Sequence, residues 1–332
     1  MTQFRNKVTI LSFILAALIV LRHSLGIGIY NMPSWLYILE SFVAQGTDIV
    51  VPVFFALSGF LFFTNLNWKE YPRKLKTRVK SLFVPYIIWN LIGLLSVLVI
   101  CQIPQLAGKI NTVAPSLELG TLLKNTFWYT EYNITWFIKD LMIFILVSPV
   151  FKLLSFNRLL AGVFLVLVLL AGYYFKNSIL LYASSFFLGA YACMYFDQYC
   201  RNLYSKNLVY VAGVLLLASI IVQTYMELPQ GASIIWLRLL QIPLVWIVAD
   251  TLRKDSEPSW WLKTSFLIYV CHHIILEPIE KCLLYAFGNN TVGAIIDILF
   301  APTITILIII FISNLLKKYT PRLYAIINGG RS

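Results

Sequence analysis

Three histidines occur in the chain, His23, His272 and His273, and all fall in long apolar runs. An imidazole with an ordinary pKa near 6.5 can take a proton from a hydroxyl and return it to a leaving group near neutrality. His23 sits beside Arg22 in "ILAALIVLRHSLGIGIY", residues 14–30, where an ionisable group at mid-membrane costs about 2.5–3.5 kcal/mol on insertion scales. No carboxylate or thiol of that run competes for acid–base work. Arg22, one residue away, points about 100° round the helix and reads as a snorkelling boundary residue.

Other residue types with chemical potential are dispersed. Ser58 and Gly59 interrupt the aromatic run "VPVFFALSGFLFF" (51–63), where small residues allow close helix approach and Ser58 is a weaker candidate nucleophile. "KEYPRKLKTRVKSLFVPY" (69–86) carries Arg73, Lys74, Lys76, Arg78 and Lys80. Such a run is either a plain cytoplasmic loop or a site for the phosphates of a nucleotide-bearing donor. No Gly-rich loop ending in Gly-Lys-Ser or Gly-Lys-Thr accompanies it, which argues against an ATP-driven pump. In "NITWFIKDLMIFILVSPVF" (133–151), Lys139 and Asp140 are neighbours and so do not face each other on a helix; partners on other helices, Asp48 and Glu131 among them, are expected. The cysteines, Cys101, Cys193, Cys200, Cys271 and Cys282, show no metal-ligand spacing and read as small packers, so no metal is expected.

The elements that must position these groups are membrane helices. Of 332 residues, 60% are hydrophobic and 12% charged, against about 25% charged in soluble domains; mean hydropathy is +0.80. Apolar runs long enough to cross a hydrocarbon layer of ~30 Å fall near 8–29, 48–67, 82–103, 134–153, 159–175, 178–197, 207–226, 232–252, 264–287 and 294–316. The spacing thus predicts an all-α bundle of about ten transmembrane helices, one membrane domain over 1–332. "MTQFRNK" opens a retained first helix rather than a cleaved signal. "YYFKNS" makes a tight hairpin between the fifth and sixth spans, and the segment 104–133 is expected along the interface.

With both termini cytoplasmic, the inner segments hold Arg5, Lys7, the run from Lys69 to Lys80, Lys152, Arg158, Arg201, Lys206, Arg253, Lys254, Lys263, Lys317, Lys318, Arg322 and Arg331. The outer segments hold Lys109, Lys124 and Lys176, with Lys281 near an outer helix end. That asymmetry sets the orientation. The net charge of +12 then reflects topology and anionic lipid heads rather than nucleic acid. By helix rise, His23 lies about 22 Å from the cytoplasmic face and His272 about 12 Å.

The order of features resembles the membrane acyltransferase-3 family. His23 corresponds to that family's catalytic histidine, "VPVFFALSGFLFF" to its Phe-Phe-x-x-Ser-Gly-Phe segment, and the basic run ending at Pro85 to its acyl-CoA loop. "TWFIKDL" (135–141), with Trp136, is similar to its Trp-Phe-x-x-x-Leu motif, "SFFLGAY" (185–191) to its small-residue helix, and "SFLIYVCHH" (265–273), with Tyr269 and His272, to its Ile-Tyr-x-x-His. Two positions depart from the pattern: Ser12 stands where the family has arginine, and Pro52 where an aspartate often precedes the Phe-Phe pair.

The resemblance implies an acyl-CoA-dependent O-acyltransferase of the bacterial inner membrane, most simply an O-acetyltransferase. Its donor would be cytoplasmic acetyl-CoA, and its acceptor a surface polysaccharide or lipid-linked sugar. His23 would be the base, by direct transfer or through an acyl-histidine relay. Arg73, Lys74, Lys76, Arg78, Lys80 and His272 would hold the donor, taking over what Ser12 cannot supply. Ser58, Trp136, Lys139, Asp140 and Tyr269 would serve the substrate or the structure. Acceptor specificity would reside in the membrane domain and the 104–133 segment. The competing expectation from the same helices and loops is a transporter or flippase of polysaccharide or lipid-linked sugar.

Overall fold

The computed structural model describes residues 2–26, 29–101, 118, 120–121, 133–225 and 240–331. Among them every regular element is helical: α1 Thr2–His23, α2 Ser34–Thr47, α3 Val50–Phe63, α4 Tyr71–Arg78, a π turn Val79–Phe83, α5 Val84–Cys101, α6 Trp136–Leu154 and α7 Arg158–Tyr174. There follow α8 Ser178–Arg201, α9 Lys206–Tyr225, α10 Leu240–Leu252, α11 Ser265–Phe287, α12 Thr291–Tyr319 and α13 Pro321–Ile327. Among the described residues six stretches are long and apolar enough to cross a membrane: Thr2–His23, Ser34–Phe63, Tyr71–Ser96, Ser178–Arg201, Lys206–Tyr225 and Thr291–Tyr319. Leucines and valines left exposed along α7, among them Leu159, Val163, Val166, Leu167 and Leu170, have hydrocarbon as their natural neighbour. The segment 104–133, with Lys109, Lys124 and Glu131, lies outside the described residues apart from a few positions, as does Arg238.

The helix starts follow the local sequence. Asn157 and Asn290 each accept from two backbone N–H groups at the heads of α7 and α12, and Asn177 accepts from Leu180 at the head of α8. Each side chain thereby satisfies donors that the first turn leaves unpaired. Between α7 and α8 the chain turns through Phe175, Lys176 and Asn177, with Lys176 at φ +48°. The tight hairpin expected at "YYFKNS" is therefore present.

The main difference from the sequence expectation is α2. Residues 34–47 fall between the first two predicted spans, yet Leu36, Glu40, Ala44 and Thr47 form one buried stripe at helical spacing. Together α2 and α3 make one apolar stretch, Ser34–Phe63. A second difference concerns Lys7, which was grouped with the solvated cytoplasmic charges. It is fully buried: Nζ donates to Asp250 Oδ1 at 2.5 Å and to the Trp246 carbonyl at 2.6 Å, and lies 3.8 Å from a Trp246 ring centroid. Arg253 Nε at 2.8 Å and the Tyr204 N–H at 2.8 Å complete the bonding of Asp250. Burying the amine costs solvation, which this set of partners offsets.

α3 and α8 cross in direct backbone contact. A Cβ on Gly59 would lie 2.0 Å from the Phe186 carbonyl oxygen, and one on Gly189 1.8 Å from that of Ala56. Only glycine fits at either point. Around this crossing Phe55, Phe62, Phe63, Phe144, Phe151, Phe186 and Phe187 pack into the main core. It is this crossing, with α1 and α11 packed along each other, that frames the cavity described next.

Candidate functional site

A cavity of about 520 Å³ runs between α1, α3, α6 and α11. On α1 it is lined by Ser12, Ile19, Arg22 and His23. Eleven residues separate the first from the last, so it follows about 16 Å of helix rise. Arg22, His23, Asp48, His272 and His273 gather at one end; Arg78, Leu82, Ser265, Phe266 and Arg331 gather at the other.

At the histidine end all three imidazoles of the chain meet. Ring centroids lie 5.3 Å apart for His23 and His272, 5.8 Å for His23 and His273, and 6.2 Å for His272 and His273. His272 is completely buried. Its Nδ1 lies 2.8 Å from the Tyr269 carbonyl and 3.1 Å from that of Ile268. Carbonyls only accept, so the neutral ring carries its proton on Nδ1 and a lone pair on Nε2. That Nε2 is buried and has no partner among the described residues. His273 pairs through Nδ1 with Glu277 Oε1 at 3.0 Å. His23 keeps an exposed edge and makes no hydrogen bond to a described residue. No group of three His, Cys, Asp or Glu side chains among the described residues is arranged to hold a metal ion.

Depths counted from the sequence put His23 and His272 about 10 Å apart along the membrane normal, and the contact overturns that. The count for His272 starts at residue 264, where the ninth span is predicted to begin, but the preceding residues already run alongside α1. Glu257 pairs with Arg5 at 3.3 Å, and the Trp261 ring meets Phe13 edge-on at 5.0 Å. Beginning at those levels, α11 brings His272 to the height of His23.

Arg22 also departs from its expected role as a lone boundary anchor. Its Nε donates to Asp48 Oδ1 at 3.3 Å, beside the cavity opening. Asp48, expected as a partner for Lys139 or Asp140, is thereby engaged elsewhere. Those two residues lie on α6 away from the cavity lining, with Asp140 buried.

Of the other sequence candidates, Ser58, Trp136 and Tyr269 line the cavity. Trp136 packs on Tyr182 at 5.1 Å, and the Tyr269 hydroxyl donates to the Ile134 carbonyl, which fixes that wall. From the basic run the structure brings only Arg78 into the cavity. Lys74 donates to the Phe62 carbonyl at 2.8 Å and the Thr64 carbonyl at 2.5 Å, closing the end of α3. Arg73 pairs with Glu70 at 3.2 Å on the surface, and Lys76 and Lys80 are exposed. The helix turns decide this, because five cations within eight residues cannot all face inward.

Arg331 is the lining cation that sequence reasoning left among the loop charges. Burial, with the charge of Arg78 beside it, pushes its guanidinium down to about 10, so it remains a cation at neutral pH. Its signal in the sequence was the preceding Gly329 and Gly330, which announce a helix stop followed by a turn back toward the bundle.

This arrangement joins a solvent-reachable imidazole to a buried lone-pair nitrogen and, along one cavity, to two guanidinium groups. Such a set can deprotonate a hydroxyl at one end while binding an anionic group at the other. Comparisons with known proteins give the family. The profile of a family described as an acyltransferase domain matches residues 7–316. The succinoglycan biosynthesis protein ExoH of Rhizobium meliloti (strain 1021) is 27% identical over 339 residues, covering 92% of this chain and 85% of that protein. No solved structure matches the chain. With the family profile spanning nearly its whole length, this integral membrane chain belongs to the acyltransferase-3 family.

Proposed function

We propose that the chain is an O-acyltransferase that moves a short acyl group, most simply acetyl, from cytoplasmic acetyl-CoA to a hydroxyl of a bacterial surface polysaccharide or its lipid-linked precursor. The observation that carries this reading is the single cavity connecting His23 to Arg78 and Arg331. Similarity to a succinoglycan biosynthesis protein supports a polysaccharide acceptor. In this reading residues 1–332 form one domain in the inner membrane with both termini cytoplasmic, the arginine end facing the cytoplasm and the histidine end the far side. The distribution of Lys and Arg supports that orientation.

The donor fits the residues present. Its phosphates suit two guanidinium groups, and the amide N–H groups of its pantetheine arm suit the unpartnered Nε2 of His272. The donor supplies an activated thioester carbonyl at the end of that arm. His23 accepts the proton of the acceptor hydroxyl as its oxygen bonds to that carbonyl, and returns a proton to the sulfur as the carbon–sulfur bond breaks. Trp136, Tyr182 and Phe137 wall the space where the sugar would lie, and aromatic faces suit sugar rings. Ser58 and Tyr269 complete that wall.

The test is transfer from labelled acetyl-CoA in membranes carrying His23→Ala at matched protein level. A loss of about 10²–10⁴ is expected for a general base; unchanged transfer would overturn the assignment. Glycan export that fails while acylation persists would favour a transporter. Mass spectrometry of surface glycans with and without the protein identifies the acceptor hydroxyl and the acyl group.

A further inference from the structure

Arg78 and Arg331 reach one end of the cavity from opposite parts of the chain. Arg78 closes α4 immediately before the π turn Val79–Phe83. Arg331 arrives by a constructed route. α13 stops in a Schellman-type closure, with the Gly330 N–H bonded to the Ala325 carbonyl at 2.7 Å and the Gly329 N–H to the Ile326 carbonyl at 3.2 Å. Gly329 and Gly330 take φ of +65° and +74°. A Cβ on Gly329 would lie 2.4 Å from the Ser81 carbonyl oxygen, so the turn rests directly on the π turn. Trp89 Nε1 holds it there by donating to the Ile327 carbonyl at 3.0 Å.

The guanidinium this turn delivers is anchored on one edge. Nη1 of Arg331 donates to the Ser81 carbonyl at 3.2 Å and the Asn328 carbonyl at 3.1 Å, and the group lies 4.1 Å from the Phe266 ring centroid. Nε and Nη2 make no hydrogen bond to described residues. Arg78 lies 6.0 Å from the Phe62 ring centroid and likewise makes no hydrogen bond or ion pair there. Arg5, Arg73, Arg201 and Arg253, by contrast, each pair with a carboxylate, while Arg158 lies over the Phe196 ring. Two cations sharing a cavity end with no carboxylate among the described lining residues repel one another, and an anion held between them removes that repulsion.

We propose that Arg331 and Arg78 form a two-guanidinium clamp for a phosphate ester, and that the ester belongs to the nucleotide end of the acyl donor. The second clause rests on the acyl-CoA reading above. Arg78 lies within the residues 7–316 matched by the family profile and Arg331 beyond them, so the clamp joins the matched region to the segment that follows it. It places a fixed cation in a cavity where Ser12 contributes none.

The test uses the full chain purified in detergent, with CoA and inorganic pyrophosphate as probes and binding read by calorimetry. Arg331→Gln and Arg78→Gln are each expected to weaken CoA and pyrophosphate binding about tenfold or more. Arg331→Lys should recover only part, since an ammonium cannot reproduce the two-point fork. Thermal midpoints report the fold. If Arg331→Gln unfolds, Arg78→Gln carries the test, because that side chain bonds to no described residue. CoA binding that is equal in wild type and both variants overturns the clamp and leaves the acyl-CoA reading standing. Pyrophosphate binding that depends on both arginines in a chain that does not bind CoA keeps the clamp and overturns the CoA reading.

Discussion

The two ends of the cavity are electrically unlike. At the histidine end Arg22 pairs with Asp48 and His273 contacts Glu277, and His23 stands among them without a bonding partner among the described residues. At the other end two guanidinium groups share a space with no carboxylate among the described lining residues. An end whose charged side chains already have partners suits a neutral acceptor hydroxyl, because that pairing is disturbed only as the proton moves. An end that is unbalanced when empty suits an anion, because binding restores the balance.

Substitutions at the two ends should therefore fail in different ways. His23→Ala has the largest expected effect, a fall of about 10²–10⁴ in kcat with CoA affinity unchanged; a variant that loses CoA binding as well would erase the distinction between the ends. Arg331→Gln should do the opposite, raising KM for the donor about tenfold or more while kcat at saturating donor changes little. Steady-state kinetics at varied acetyl-CoA separates the two cases. Glu277→Gln removes the partner of His273, a half-exposed pair worth about 0–1 kcal/mol. A change of up to about fivefold in acceptor KM, with no change in CoA binding, is the expected reading. Asp48→Asn should matter least, since the Arg22 and Asp48 side chains are 45% and 47% exposed and such pairs contribute little. A large effect of Asp48→Asn on donor affinity would show that the ends are coupled after all.

Much of this was visible in the sequence at the level of single elements. Hydropathy located most of the helices, "YYFKNS" marked a turn, and the histidines stood out as costly groups in apolar runs. What escaped depended on pairing between distant segments. α2 lies outside the predicted spans, although its buried positions repeat at helical spacing. The common level of His23 and His272 depended on how residues 257–261 lie against α1, which no local pattern encodes. Selection of Arg78 from five neighbouring cations, and recruitment of Arg331, follow from contacts such as that between Arg331 and Ser81, 250 positions apart.

The buried amine of Lys7 has a consequence for assembly. Its carboxylate partner lies 243 positions further along the chain, so during synthesis α1 enters the bilayer long before Asp250 exists. Until α10 arrives, α1 must leave that amine at the lipid headgroups, and the helix can settle to its final depth only when α10 docks. α1 is thus made early and seated late, and the seating also sets the height of His23. A chain interrupted before α10 would carry the proposed base at the wrong level.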